Sequence, residues 1–361
     1  MSDNQQSPPQ AKEKRVPSLD GLRAISILLV IFAHIAYFSL RVPLTLKTLL
    51  ETFCFGKMGV LIFFVISGFL ITTLLLKEKS SVTADIDIRK FYIRRALRIL
   101  PVNYLYILVI FLINQPFHLG IKNPFFIPAL TYTTNFIILP AFVLGHLWSL
   151  SIEEQFYLFW PWAMRLPIKK IVSAALIIIC ITPFINVINY FNKPLGVFLL
   201  EPFLNYAPCL MIGCLLSISK FMRPDLWKLP ILQNGALRLL SIFITWLMFY
   251  FAQNAILGFI TLPFGNIIAS LGAAFFIASS IVSKNTLTYK ILNHPIMVYI
   301  GVLSYSLYIW QQLFVAAEPM YWWPHFPLNL LLIFVAAMLS YHLWEKMFLR
   351  MKDKFTPNPS A

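Results

Sequence analysis

Charged residues are scarce in this chain of 361 residues, and acidic residues are half as common as basic ones. Only 12% of the residues are charged, whereas a soluble domain carries about a quarter. There are 14 Asp and Glu against 29 Lys and Arg, and 59% of the residues are hydrophobic. This composition excludes an ordinary soluble domain and predicts an all-α membrane protein.

Cysteine is also rare, and its spacing excludes a metal site of the usual kind. The four cysteines lie in or beside apolar runs, at Cys54, Cys180, Cys209 and Cys214. Cys209 and Cys214 are five residues apart with no histidine nearby. We therefore expect small packing residues, with no disulfide and no metal.

Long apolar runs fill most of the chain and approach the ~20 residues that a transmembrane helix needs. We predict about ten transmembrane helices in one bundle, with both termini in the cytoplasm. Their ranges are 20–40, 56–76, 97–114, 146–164, 170–190, 197–217, 236–252, 258–282, 296–316 and 327–346. Residues 1–14 are expected to be a disordered cytoplasmic N-terminus, 15–350 the transmembrane domain and 351–361 a short cytoplasmic tail.

The distribution of basic residues supports this count. With ten spans, 24 of the 29 Lys and Arg fall on cytoplasmic segments, and only Arg41, Lys47, Lys57, Lys122 and Lys193 fall outside. An excess of basic residues on cytoplasmic loops is the usual orientation signal. The net charge of +15 is therefore mostly topological, and nucleic-acid binding is not expected.

The long outer segment, residues 115–145, is too apolar for a free loop and is rich in proline and aromatic residues. Irregular backbone at membrane depth is tolerated only against protein or a water-filled cavity. We expect this segment to dip into the membrane against the bundle.

Residues 146–157, His-Leu-Trp-Ser-Leu-Ser-Ile-Glu-Glu-Gln-Phe-Tyr, place a base, a hydroxyl and an acid where polar groups are costly. On a helix, His146, Ser149, Glu153, Tyr157 and Trp160 share one face. Because hydrocarbon does not tolerate an unpaired carboxylate, this face predicts a polar site inside the bundle.

Arg23 and His34 on the first span are eleven residues apart, which is three helical turns, so both point the same way about 16 Å apart along the axis. The structural interpretation is that Arg23 extends to the surface and His34 is a hydrogen-bonded core residue. The functional interpretation is that both belong to the polar site, and the acidic face at 146–157 favours it.

Arg94, Arg95 and Arg98 open the third span, and Arg94 and Arg98 share a face. Guanidinium groups bind phosphate in a bidentate manner, so a ligand with several phosphates could dock here. Simple anchoring at the cytoplasmic surface is the competing interpretation, and the sequence alone favours it.

Two further spans carry small or polar residues at helical spacing. Gly56, Gly59, Ser67 and Gly68 on the second span allow close helix approach, although Ser67 and Gly68 could also let a substrate pass. Ser304, Tyr305 and Tyr308 with Gly301 form a polar stripe on the ninth span. That stripe could join helices or line a cavity.

Taken in order, these motifs resemble the membrane acyltransferase-3 family, the integral-membrane O-acyltransferases of cell-surface glycans. The resemblance runs from Leu19 to about Phe348. The motifs that carry it are Ser18–Arg23 with His34, Phe63–Phe69, Arg94–Arg98 with Pro101, His146–Tyr157 with Pro161, and Ser304–Trp310. Three places depart from the family pattern: Leu61-Ile62 replace a common acid, Gln311 stands where histidine is frequent, and Met347 follows Lys346 where proline is frequent.

The resemblance implies transfer of an acyl group, usually acetyl, from cytoplasmic acyl-CoA to a sugar hydroxyl of an extracytoplasmic glycan or lipid-linked precursor. It implies a multi-pass protein of the bacterial cytoplasmic membrane, in contact with lipid. The chain is expected to be too short for the esterase-like domain fused to some members, so it would complete the transfer itself or pass the group to a separate protein.

Roles for individual residues follow from the resemblance. Acetyl-CoA would be the donor substrate, and no metal is expected. His34 would act as base or nucleophile, oriented by Glu153 or less favourably by Glu154. The full predicted set is His34, Glu153, Arg23 and His146 for catalysis, Arg94, Arg95 and Arg98 for coenzyme A, and Ser149, Tyr157, Ser304 and Tyr305 for substrate.

Two other classes of protein remain as alternatives. A transporter or flippase of a glycolipid-type solute also uses buried His and Glu residues, as proton relays. It has no need of an arginine cluster that binds coenzyme A. A structural scaffold for glycan assembly would leave Arg23, His34 and Glu153 without a purpose.

Overall fold

The computed structural model of the protein describes residues 17–80, 85–137, 141–192, 195–315 and 325–355. Helices make up the regular structure of these ranges, apart from one isolated bridge between Leu40 and His325. The α-helices are α1 (Pro17–Phe38), α2 (Leu44–Phe53), α3 (Gly56–Lys79), α4 (Ile88–Asn114), α5 (Phe126–Thr131), α6 (Phe142–Gly145), α7 (Leu147–Ala163), α8 (Ile168–Asn192), α9 (Leu195–Met222), α10 (Gly235–Gln253), α11 (Gly258–Val282), α12 (Leu287–Leu292), α13 (Pro295–Val315), α14 (Leu328–Leu339) and α15 (Lys346–Asp353). Shorter turns are Asn123–Phe125, Thr134–Phe136, Leu226–Lys228 and Pro230–Gln233, and a π-helical turn, Ser340–Glu345, joins α14 to α15.

Nine helical stretches in the described ranges are long and apolar enough to cross a membrane. The prediction of an all-α membrane bundle is confirmed. The exception to the predicted count is α7, expected as a span over 146–164. It has 17 residues, or about 25 Å at 1.5 Å per residue, whereas the hydrocarbon core is about 30 Å thick.

The two ends of the bundle differ in charge. Contacts that tie one end together are Glu78–Arg94, Lys79–Leu166 and Ser18–Asn293. Contacts that tie the other end together are Asn114–Ile121, Tyr37–Gln253 and Ser39–Asn329. The first helix begins and the last helix ends at the end rich in Lys and Arg, which we call the basic end. By the orientation rule, the basic end is expected to face the cytoplasm.

The segment between α4 and α7 lies against the bundle, as predicted. It leaves the far end of α4, where Ile121 is bonded to the Asn114 side chain at 3.1 Å. It then descends, so that the Tyr104 hydroxyl donates to Leu130 and Gln155 Nε2 donates to the Tyr132 carbonyl at 2.9 Å. Tyr104 is ten residues before Asn114, so the segment reaches about 15 Å down α4. This descent explains why α7 starts within the bundle and is short.

Close contact between α3 and α9 confirms the expected role of small residues on the second span. A Cβ atom on Gly68 would lie 2.2 Å from the Leu210 carbonyl oxygen, and one on Gly213 would lie 2.2 Å from the Val65 carbonyl oxygen. The two helix backbones therefore touch directly at this crossing. This contact holds α3 against α9. Ser67, next to Gly68 on α3, is buried inside the bundle.

Two expected boundaries fall near the edges of the described ranges. The predicted disordered N-terminus, residues 1–14, lies outside them. The predicted tail, 351–361, begins inside α15, which continues to Asp353. The Phe355 carbonyl accepts a hydrogen bond from Arg94 Nη1 at 3.0 Å, so this part of the tail is docked on the basic end.

Candidate active site

The polar face predicted on α7 is present and points into the bundle. Ser149 is hydrogen-bonded to the Tyr308 hydroxyl on α13, and Trp160 Nε1 donates to Thr72 on α3 at 2.9 Å. Four of the five residues predicted on this face are buried, and Glu153 is half-buried. The spacing of three and four residues therefore did indicate which side of α7 faces protein.

The Glu153 carboxylate lies at the middle of this face and accepts two hydrogen bonds. One comes from Ser67 on α3 and the other from Tyr157, one turn further along α7. Both donors are neutral hydroxyl groups. A carboxylate at membrane depth needs protein partners, and these two supply them.

His34 does not pair with Glu153, which corrects the sequence-based expectation. Its Nδ1 lies 2.8 Å from the Oε1 atom of Gln311 on α13. His146 lies in electrostatic range of His34, and Glu153 is seven residues further along α7, about 10 Å toward the basic end. Helical rise therefore places both Glu153 and Glu154 at a different depth from His34.

The Gln311 contact determines which nitrogen of His34 can react. An amide oxygen can only accept a hydrogen bond, so Nδ1 carries the hydrogen and Nε2 keeps its lone pair. Gln311 is fully buried, whereas His34 is half-buried. The amide therefore holds the imidazole in a form suited to accept a proton or attack a carbonyl at Nε2.

His146 lies at the same depth as His34 and is packed between aromatic rings. Its ring centre is 5.5 Å from that of Tyr106 and 5.4 Å from that of Tyr308. Its backbone N–H donates to Gln312 Oε1 at 3.0 Å, and its carbonyl accepts from the Tyr308 hydroxyl at 2.7 Å. Neither ring nitrogen completes a hydrogen bond. This second imidazole keeps both nitrogens for another partner.

The predicted arginine cluster divides into two parts. Arg94 forms an ion pair with Glu78 and also donates to the Phe355 carbonyl, so its guanidinium is engaged in structure. Arg95 instead faces the α7 site, with its Cζ atom 5.1 Å from the centre of the Tyr157 ring. Arg98 makes no hydrogen bond to any of the described residues.

Arg23 joins Arg95 and Arg98 at the inner side of the basic end. Its Nη1 atom is 3.4 Å from Asp20 Oδ1, and it lies in electrostatic range of Arg98, Tyr157 and Glu153. Three guanidinium groups therefore converge where the α7 carboxylate begins. Such a group of cations is suited to phosphate.

Polar side chains thus form one continuous set from the basic end to His34. We call it the polar column, and its members are Arg23, Arg95, Arg98, Tyr157, Glu153, Ser67, Ser149, Tyr308, His146, Gln312, Gln311 and His34. Its members are connected by hydrogen bonds and ring contacts, and by electrostatic proximity between Arg23 and Arg98, between Glu153 and Tyr308 and between His146 and His34. It connects a group of guanidinium side chains at the basic end with two imidazoles deeper in the bundle.

On α13, Tyr308 of the predicted polar stripe contacts the site, together with Gln311 and Gln312, which the predicted stripe did not include. The Tyr305 hydroxyl donates to the Ile99 carbonyl on α4 at 2.6 Å, and Ser304 is buried. Tyr308, Gln311 and Gln312 make the contacts to the two histidines. The sequence signal for Gln311 was its departure from the family pattern that the chain resembles, in which histidine is frequent at this position.

The described residues contain no group of three or more His, Cys, Asp or Glu side chains that could hold a metal. Cys209 and Cys214 are buried in α9, whereas Cys54 and Cys180 lie nearer the surface, and all four are free thiols. The chemistry available along the polar column is therefore that of imidazole, carboxylate, hydroxyl and guanidinium groups.

Comparison with known proteins agrees with this arrangement. The family model described as "Acyltransferase domain" matches residues 16–342. "Putative O-acetyltransferase SACOL0978" of Staphylococcus aureus (strain COL) is 31% identical over 335 residues, covering 83% of this chain and 50% of that protein. "Putative peptidoglycan O-acetyltransferase YrhL" of Bacillus subtilis (strain 168) is 27% identical over 372 residues, covering 92% of this chain and 54% of that protein.

A third relative, "Peptidoglycan O-acetyltransferase OatA" of Listeria monocytogenes, is 36% identical over 163 residues, covering 41% of this chain and 24% of that protein. The chain spans about half the length of the first two relatives. No solved structure matches it significantly. Because the family model covers nearly the whole membrane bundle, including every member of the polar column, the chain belongs to the acyltransferase-3 family.

Proposed function

We propose that this protein transfers an acyl group, in the simplest case acetyl, from acyl-CoA at the basic end to a sugar hydroxyl of a glycan. The observation that carries the proposal is the polar column. It provides cations for a polyphosphate donor at one end and an imidazole with a free nitrogen further in. Family membership and the names of the relatives point to the same chemistry.

At the basic end, Arg23, Arg95 and Arg98 bind the phosphates of coenzyme A. Arg95 and Arg98 are better placed than Arg23, because neither guanidinium makes a hydrogen bond to any described side chain or carbonyl, whereas Arg23 contacts Asp20. Arg94 supports the site indirectly, since its pair with Glu78 fixes the start of α4 against the end of α3. The acyl-pantetheine arm then extends along the polar column toward His34.

At the reacting end, His34 Nε2 takes the proton of the sugar hydroxyl as its oxygen attacks the thioester carbonyl carbon. The carbon–sulfur bond breaks, and the coenzyme A thiolate leaves and takes up a proton. The products are the sugar ester and free coenzyme A thiol. Gln311 holds the imidazole in the reactive tautomer, a role that an acid performs in a serine protease triad.

A two-step route uses the same residues. His34 Nε2 attacks the thioester first, coenzyme A leaves, and the acyl-imidazole then passes the group to the hydroxyl. Acylated protein trapped with acetyl-CoA in the absence of acceptor identifies this route. Transfer that requires donor and acceptor to be bound together identifies the direct one.

Glu153 has a different role from the one its sequence motif suggested. Its negative charge lies in electrostatic range of Arg23 and Arg95, so it balances the guanidinium groups before the donor binds. Its bonds to Ser67 and Tyr157 also fix α7 against α3. We assign it to positioning rather than to the proton-transfer step.

The acceptor in this proposal is a glycan on the far side of a bacterial cytoplasmic membrane. The named relatives are bacterial, and two of their names specify peptidoglycan. The orientation rule places the basic end inside the cell, where acyl-CoA is made. A lipid-linked precursor or a finished surface polysaccharide supplies the same hydroxyl chemistry.

The decisive experiment is mass spectrometry of surface glycans from a strain lacking the gene, complemented with wild-type protein or with His34→Ala. Wild type is expected to restore an acyl increment on one sugar, and His34→Ala is not. His342→Ala is the matched control, because His342 is an exposed imidazole bonded to Tyr299 at 2.9 Å, away from the polar column. Normal acylation with His34→Ala at equal expression would remove His34 from the mechanism.

Release of free coenzyme A from purified protein separates this proposal from a transporter. An acyltransferase releases thiol from acetyl-CoA when acceptor is added, whereas a flippase does not bind acetyl-CoA at all. Glycolipid movement across proteoliposomes without acetyl-CoA consumption would favour the transporter.

A further inference from the structure

A second polar cluster lies beside the polar column, on the neighbouring side of α7. It consists of Asn103 on α4, Tyr132 at the end of α5 and Glu154 on α7, and we call it the side cluster. Asn103 is completely buried, and neither its amide nitrogen nor its amide oxygen has a hydrogen-bond partner. The Tyr132 hydroxyl and Glu154 Oε1 are likewise buried without a partner.

These three side chains lie together. The Tyr132 hydroxyl faces the Asn103 amide and is in electrostatic range of Glu154. The adjacent Gln155 side chain holds the Tyr132 carbonyl at 2.9 Å, which fixes the segment before α7 to α7 itself. Tyr305 on α13 is also in electrostatic range of both Tyr132 and Glu154. Four different elements thus enclose the side cluster.

The backbone at Tyr132 is arranged to deliver its side chain. Tyr132 ends α5 in the left-handed region, with φ 54° and ψ 45°, a conformation that is unfavourable for a bulky residue. It lies on the segment that descends from the far end of the bundle. Residues in such conformations cluster at ligand sites, where the surrounding structure holds them in place.

Burial of several polar atoms without partners costs free energy, and native proteins keep few of them. Together these atoms offer an amide N–H₂ and a phenol O–H as donors, and an amide oxygen and a carboxyl oxygen as acceptors. A ligand that matches them must carry donors and acceptors side by side, as neighbouring sugar hydroxyls do. The carboxyl group of Glu154 disfavours an anionic group such as phosphate.

The position of the side cluster fits the second substrate of the proposed reaction. Asn103 is one turn of α4 before Tyr106, whose ring contacts that of His146. One turn corresponds to about 5 Å along the helix. Asn103 therefore lies about one turn toward the basic end from the level of the two histidines, and a sugar held there could present a neighbouring hydroxyl to them. On α4, Arg98 and Arg95 lie about 7 and 12 Å further toward the basic end, so the side cluster lies between the arginines and the histidines.

The geometry points to the side cluster as the acceptor subsite: Asn103, Tyr132 and Glu154 bind the hydroxyl-bearing edge of the acceptor sugar, reached along the descending segment. This inference rests on the proposed acyl transfer. It assigns to the segment between α4 and α7 a direct part in acceptor recognition.

The test compares Tyr132→Phe, Glu154→Gln and Asn103→Leu in membranes of the strain lacking the gene, with its own surface glycan as the acceptor probe and radiolabelled acetyl-CoA as donor. Each variant removes one group that has no partner within the protein. Loss of one hydrogen bond to a bound sugar is expected to lower labelling about three- to tenfold. For Tyr132→Phe and Asn103→Leu, the affinity of purified protein for acetyl-CoA and its thermal midpoint are expected to stay at the wild-type values. Glu154→Gln removes a carboxyl group in electrostatic range of Arg95, so this variant is compared by labelling and thermal midpoint alone.

Tyr104→Phe is the matched control. Its hydroxyl lies next to the side cluster in sequence but donates outward, to the Leu130 carbonyl at 3.3 Å. Full labelling by this variant, with reduced labelling by Tyr132→Phe and Glu154→Gln, supports the inference. Full labelling by all variants would mean that the side cluster holds water only.

Loss of labelling together with loss of acetyl-CoA binding would place the side cluster at the donor site and overturn the inference. Failure of the proposed function is distinguishable, because wild-type membranes would then transfer no acetyl group to glycan at all.

Discussion

Removal of the amide that holds His34 is the sharpest test of the mechanism. In Gln311→Leu, the Nδ1 hydrogen of His34 loses its acceptor at 2.8 Å, inside a helix contact where Gln311 is fully buried. The imidazole can then adopt the other tautomer, in which Nε2 carries the hydrogen and cannot act as base. Gln311→Glu keeps an oxygen at the same reach and so keeps the tautomer.

The magnitude follows from the energy of that bond. An unsatisfied buried donor costs about 1–3 kcal/mol, which corresponds to about a 5- to 150-fold loss of rate. We expect kcat for coenzyme A release to fall by this factor in Gln311→Leu, with the KM for acetyl-CoA unchanged. Gln311→Glu is expected to stay within about tenfold of wild type. The assay is thiol release in proteoliposomes, with glycan acylation measured in parallel.

Two comparisons make the result decisive. Gln253→Leu is the matched control, since Gln253 is an exposed amide whose hydrogen bond goes to Tyr37, one turn beyond His34 on α1, and not to a member of the polar column. In the double variant His34→Ala with Gln311→Leu, the loss should equal that of His34→Ala alone, because Gln311 acts through His34. Equal loss in the Leu and Glu variants, or additive loss in the double variant, would refute the tautomer argument.

Three further predictions concern the rest of the polar column and the packing beneath it. Glu153→Gln keeps an oxygen for its two hydroxyl donors but removes the negative charge. Transfer should fall at least about tenfold, as ~1.4 kcal/mol of lost electrostatic stabilisation implies, while the thermal midpoint stays unchanged. Wild-type transfer by this variant would show that only the hydrogen bonds of Glu153 matter. Arg98→Ala should raise the Kd for acetyl-CoA, measured by calorimetry, about 10- to 100-fold, which is the value of a charged hydrogen bond. Arg94→Ala breaks the ion pair with Glu78 and should mainly lower the thermal midpoint. Identical Kd values for the two variants would mean that these arginines only anchor the protein at the membrane surface. Gly68→Val should separate α3 from α9 and lower the thermal midpoint by several degrees, because overpacking costs about 1–3 kcal/mol. Gly258→Val is the control, since no atom lies within 4 Å of the added Cβ. It should leave the thermal midpoint nearly unchanged.

Some features of the site were predictable from sequence because they depend on local periodicity. The face of α7 that carries Ser149, Glu153 and Tyr157 followed from spacings of three and four residues. The placement of Arg23 and His34 on the same face of α1 followed from the same helical geometry. The descent of residues 115–145 against the bundle followed from their apolar composition, since a free loop would not carry it.

Other features depend on how helices far apart in the sequence are placed side by side. Gln311 is 277 residues from His34 and meets it only because α1 packs against α13. Glu153 lost its predicted partner for the same reason: the relative depth of α1 and α7 is set by packing, and no local pattern encodes it. The side cluster joins α4, α7 and the end of α5, so only its individual residues were visible in the sequence.

The sequence by itself therefore determined the class of protein, the approximate spans and the family, because each rests on composition, periodicity or ordered motifs along one chain. The tertiary structure decided which groups touch: His34 bonds an amide rather than a carboxylate, and Arg94 forms an ion pair with Glu78. It also decided that α7 is shorter than the predicted span. The physical reason is that hydrogen bonds and ion pairs act over about 3 Å, whereas sequence patterns fix only the side of a helix on which a residue lies.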